Sequence, residues 1–151
     1  MSMDSKLYDI AYLIQFKDLE RTNVSKVSIA WHLDHSLKVI NKIYAVLKSS
    51  DPSVYKNRFS LSRTFSFLLG YIPRGTAKSP ASVLPPYKIK TEEILSQLEE
   101  ARINLKELEI LDQNANFVHP VFGHLNIKQA KRFLELHTKH HLKIVNDILK
   151  K

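Results

Sequence analysis

Long runs of apolar residues at three- and four-residue steps, in a chain of 151 residues with only three glycines, leave little to build except helices. A first helix is expected from about Ser5 into the Asp18 to Arg21 region, burying Leu7, Ile10, Leu13 and Ile14. Asn23 or Ser25 can cap a second, roughly Val24 to Leu47, whose Ile29, Leu33, Leu37, Ile40, Tyr44 and Leu47 share one face. A short helix over Ser60 to Leu69 is stopped by Gly70 and Pro73, and the irregular RGTAKSPASVLPP stretch follows. Thr91 caps a third long helix carrying Ile94, Leu98, Ala101 and Leu105, which LDQNANFVHPVFGHLN interrupts before Asn126 caps the last. Strands are hard to find. The economical architecture is an all-α four-helix bundle, one domain over residues 1–151, with a long irregular connection between helices 2 and 3.

Five of the seven histidines fall in two clusters, His32 and His35 in WHLDH and His137, His140 and His141 in HTKHH. At about 100° of rotation per residue, His137 and His141 stack one turn apart, a spacing that lets two imidazoles hold one metal ion. Measured from the apolar stripe of the last helix, both lie within about 30° of its centre, and His140 lies roughly 80° away. On the second helix His32 sits at the stripe's edge, roughly 90° off, and His35 further round toward solvent. His32 is therefore the expected third ligand, although a register shifted by one residue would let His35 or His140 stand in for a neighbour. Two buried neutral imidazoles are costly unless something organises them, and a divalent transition metal such as Zn²⁺ or Ni²⁺ would do so. Three histidines leave a coordination position open, the arrangement of catalytic sites, but histidines at helical spacing also occur at bundle rims, bonded to water or carbonyls.

The absence of cysteine rules out disulfides, thiolate ligands and a protein thiol nucleophile, so a metal here must be held by histidine, carboxylate or water. The opening MSMDSKLYDIAYLIQF has no continuous apolar core of a signal peptide and no segment reaches the roughly 18 apolar residues of a membrane span, so a cytoplasmic location without membrane insertion is expected. The net charge of +8 is dispersed over helix faces without a nucleic-acid-binding motif, which argues against nucleic acid as partner. Arg63, Arg74 and Lys78 are read as solubility residues, His119 as part of the connection entering the last helix, and His124 as a surface or local capping residue. There is no phosphate-binding glycine loop, no G-x-S-x-G elbow and no pair of catalytic carboxylates.

WHLDHSL, GYIPRGTAKSP, HPVFGHLN and HTKHHLK occur in that order and are spread over most of the chain, between residues 31 and 143. Together they resemble the DinB/YfiT-like superfamily of metal-binding four-helix bundles, and within it a subfamily with a His-Leu position in the second helix, an IPRG-type loop, HPxFG and a terminal HxxHH. The resemblance implies that one second-helix histidine, with the first and last of HTKHH, binds a divalent metal; His32 fits the His-Leu position and His35 leaves that assignment open. It also implies a thiol transferase using a low-molecular-weight thiol, or a metal-dependent hydrolase.

The expectation that follows is a metal-dependent enzyme acting on a small-molecule substrate, with His32, His137 and His141 at the mouth of the bundle. Within it, Arg74 and Lys78 of the 70 to 86 loop could receive an anionic cosubstrate such as a carboxylate-bearing thiol. The alternative is a noncatalytic metal- or small-molecule-binding bundle of the stress-response kind. A homodimer is compatible with an amphipathic bundle, but no residue pattern specifies one.

Overall fold

The computed structural model describes residues 2–74 and 79–150, and these are mainly helical. Five α-helices occur, α1 (Met3–Leu13), α2 (Ile29–Lys48), α3 (Leu61–Leu69), α4 (Thr91–Glu107) and α5 (Ile127–Leu149), with a hairpin of β1 (Asn116–His119) and β2 (Gly123–Asn126) between the last two. α1 and α2 each contact both α4 and α5, so these four helices surround a common core. Leu7 and Ile10 of α1, Leu33 and Leu37 of α2, Leu98 and Ala101 of α4, and Ala130 and Leu134 of α5 are all buried in it. Burying each Leu or Ile side chain contributes about 1.5–3 kcal/mol. Among the described residues no helix is long and apolar enough to cross a membrane.

The helix ends differ from the sequence expectation in ways that matter for the site. α1 stops at Leu13 and tightens into a 3-10 turn at Ile14–Phe16, so the chain reaches α2 through a loop rather than a longer helix. That loop folds back onto the start of α2, where Ile29 N–H donates to Leu19 O (3.1 Å) and Ala30 N–H to Lys17 O (2.7 Å). Two amides that a helix start leaves without intrahelical partners are thus satisfied by the preceding loop. Ser28, rather than Asn23 or Ser25, caps α2 by accepting Trp31 N–H at 3.4 Å. At α4 the cap position is Lys90 and Thr91 is already helical; the Glu93 carboxylate reaches back to accept Lys90 N–H at 3.1 Å. The Asn126 cap of α5 is present, in a reciprocal pairing with Gln129.

The strand pair corrects the all-helical expectation. β1 and β2 pair antiparallel, with Phe117 opposite Leu125 and His119 opposite Gly123. The three-residue connection 120–122 closes on Gly123 at φ 73°, a left-handed conformation that a glycine adopts without steric cost. Arg63 of α3, read from the sequence as a solubility residue, is buried and donates to Phe122 O (3.5 Å), to His124 O (3.1 Å) and to Arg58 O. It fixes the hairpin to α3. Leu61, Phe65, Leu68 and Leu69 of that same helix are exposed.

Candidate metal centre

The first two turns of α2 carry His32 and His35, and α5 brings His137, His140 and His141 against them. His35, His137 and His141 each offer a ring nitrogen, and these three atoms all lie within 4.8 Å of one another. Ring centroids are 4.6 Å apart for His137 and His141, 4.8 Å for His35 and His141, and 5.1 Å for His35 and His137. Ligand nitrogens of a tetrahedral zinc site, bound at about 2.0–2.1 Å, stand about 3.4 Å apart, a gap these rings can close by side-chain rotation.

Each ring is prepared differently. His35 Nδ1 lies 2.8 Å from Val83 O, and a carbonyl can only accept, so the proton sits on Nδ1 and Nε2 keeps its lone pair. Trp31 stacks on the same ring at 4.8 Å and 23°. His137 Nδ1 is buried without a hydrogen-bond partner. An unpaired buried nitrogen costs free energy, about 1–3 kcal/mol, that coordination would recover. His141 Nδ1 lies 2.9 Å from His32 Nδ1, and His32 Nε2 lies 2.9 Å from Ser25 Oγ. One of these two Nδ1 atoms must carry a proton. If His141 donates, His32 passes its Nε2–H on to Ser25 and His141 keeps a lone pair on Nε2, as a ligand requires.

The electrostatics favour neutral rings. Burial, reinforced by the neighbouring imidazoles, holds His137 and His141 well below the ordinary histidine value and pushes His32 down to about 4. Burial also lowers His35, against the Val83 carbonyl, which favours its charged form. Neutral imidazoles can bind a cation without first losing a proton.

Of the residues picked from the sequence, His137 and His141 are in this group and His32 is not. It stands behind His141, with both nitrogens engaged. His35, expected to turn toward solvent, is 2% exposed, and His32 is 4% exposed. The single-stripe reading failed because the start of α2 is enclosed on more than one side. α5 covers one flank, and the 3-10 turn Ala81–Val83 packs on another and supplies the carbonyl that His35 binds. The signal was present in the Trp31 to His35 spacing of four, which places an aromatic ring over the imidazole, and in the length of the proline-rich connection. Ser25, considered only as a cap, was missed as a histidine partner. Asp34 is buried too, but it faces α4, accepting from Lys38 (2.5 Å) and Gln97 (2.6 Å).

A pocket of about 470 Å³ opens beside the three rings, with walls from α2, α5, the hairpin and the connection after α3. His140 does not join the group; its Nδ1 donates to Ile72 O at 2.9 Å and ties that connection to α5. Arg74 pairs with Asp147 at 2.6 Å, and Lys78 lies outside the described residues. His119 lines the pocket from β1, stacked on Phe122 at 4.8 Å and 21°. His124, half-buried, contacts Asn116 Oδ1 through Nε2 at 2.6 Å, within the hairpin. No protein-family model, no curated protein and no solved structure matches this chain.

Proposed function

We propose that this protein is a metal-dependent enzyme of the thiol transferase or hydrolase type, built as a DinB/YfiT-like four-helix bundle, in which His35, His137 and His141 hold one divalent transition metal such as Zn²⁺ or Ni²⁺. The observation that carries the reading is three imidazoles converging beside a pocket of about 470 Å³ whose described lining residues include no carboxylate as a fourth ligand. The order of the WHLDH, HPVFG and HTKHH motifs supports it further. The metal would supply Lewis acidity, which lowers the pKa of a thiol or water in the open position. Val83 O fixes the proton on His35, and ligation by His141 requires that its Nδ1 donate to His32, which Ser25 backs in turn, so both rings are oriented from behind. Trp31 and the mainly apolar walls shield the rings and give a small organic substrate a surface to bind.

The test is metal titration of chelator-stripped protein, followed by Co²⁺ substitution. One equivalent should bind, binding should fall at least a hundredfold in His137→Ala and His35→Ala, and the visible Co²⁺ spectrum should change when a small thiol is added. Absence of stoichiometric binding refutes the metal site. Tight binding with a spectrum insensitive to added thiol or azide means a closed site and favours the noncatalytic bundle.

A further inference from the structure

His119 has no part in the metal group, yet its ring is among the most constrained in the pocket. Its Nδ1 accepts two backbone amides, Val121 N–H and Phe122 N–H, each at 3.1 Å. Phe122 stacks on one side, and the Phe133 ring lies 4.6 Å away by centroid. With Nδ1 occupied as an acceptor, a neutral imidazole carries its proton on Nε2. That N–H has no acceptor among the described residues, and His119 lines the pocket. A donor held in place by backbone and stacking, with no protein acceptor among the described residues, is pre-organised for an oxygen of a bound molecule.

The rest of the pocket narrows the class. Among the described residues no Asp or Glu lines it, and Lys42, exposed at one side, is the one Lys or Arg side chain there. Phe117, Phe122, Phe133 and Trp31 give it aromatic walls. We infer that the pocket binds an organic acid with an apolar or aromatic body, its carboxylate oxygen accepting the Nε2–H of His119. For its catalytic meaning this rests on the enzyme reading above, in which such a molecule is the substrate or carries the reacting group; the binding step itself needs no metal.

The bland role for His119 is to hold the 119–123 turn through Nδ1, and one substitution separates the two. Asparagine places an amide oxygen close to the position of Nδ1, so His119→Asn keeps the turn acceptor and loses the pocket donor. The probe is 3-phenylpropionate, titrated by NMR into chelator-stripped protein, so that failure of the metal site leaves the result readable. Wild type should bind it with shifts at Phe122 and Phe133, and His119→Asn should bind at least tenfold more weakly, as the loss of a hydrogen bond to a charged acceptor implies. Lys42→Gln should lose less than threefold. No binding by wild type, or equal binding by wild type and His119→Asn, overturns the inference. If His119→Asn does not fold, the imidazole ¹⁵N spectrum of wild type decides. It should show an Nε2–H tautomer at His119 whose resonance moves on saturation with the probe, and an unmoved resonance overturns the inference equally.

Discussion

His32 and His141 share one proton between facing Nδ1 atoms 2.9 Å apart, and Ser25 holds the far nitrogen of His32 at the same distance. The chain of bonds can run either way. Run outward from His141, it leaves Nε2 of that ring a ligand; run inward, it puts a proton there and blocks coordination.

His32 should therefore tune the metal without touching it. His32→Phe is expected to weaken binding by about 10–100-fold, the usual cost of losing a partner behind a ligand, while the one-to-one stoichiometry persists. His32→Gln, which retains an acceptor, should recover part of the loss. Isothermal titration with Zn²⁺ reads both, and loss of stoichiometry in His32→Phe would make His32 a ligand after all.

His137 should trade stability for ligation. Its unpaired Nδ1 is a cost to the metal-free chain, so His137→Leu is expected to raise metal-free stability by about 1–2 kcal/mol while abolishing metal binding. Urea unfolding of both proteins in chelator checks the sign. A less stable variant would mean that the imidazole has a partner in solution.

Acid should weaken the metal-free fold. Burial lowers His119 from its ordinary 6.5 to about 4, so between those values the unfolded chain binds a proton that the folded chain refuses. The stability this ring contributes is present above pH 6.5 and is lost as the pH falls toward 4, by on the order of 1–2 kcal/mol once solvent screening of a part-exposed ring is allowed for. His32 acts in the same direction over the same window. Urea midpoints should decline from pH 7.5 to 5, less steeply in His119→Asn; a flat profile would contradict the burial of both rings.

Arg63→Met keeps the aliphatic stem and deletes the donors to Phe122 O and His124 O. A loss of about 2–3 kcal/mol is expected, together with faster amide exchange across 116–126. An unchanged exchange pattern would show that the hairpin holds without α3.

Much of the fold could be read from local pattern. The 3.6-residue apolar steps placed the bodies of α2, α4 and α5, and Asn126 marked the start of α5, because these signals lie within one turn of the residues they govern. The hairpin could not be read in the same way. Four-residue strands with Asn116 and His119 at the ends of one of them carry too little alternation to stand out, and Pro120 with Gly123 reads equally as a plain loop. The site divided along the same line. His137 and His141 follow from spacing on one helix, whereas the choice between His32 and His35 depends on the 79–83 segment, distant in sequence, folding over the start of α2. A helical wheel carries no knowledge of what lands on its second face.

The connection after α3 touches the histidines through backbone carbonyls, Ile72 O on His140 and Val83 O on His35. Those oxygens dictate where each ring stores its hydrogen, and from the same segment Ser79 Oγ stands 3.4 Å from His35 Nε2, so the connection governs imidazole chemistry mainly through its backbone. Val83 is also buried in the core and Ile72 packs against it, so those two positions tolerate only apolar exchange, while a deletion that shifts either carbonyl by one residue would disarm the rings it faces.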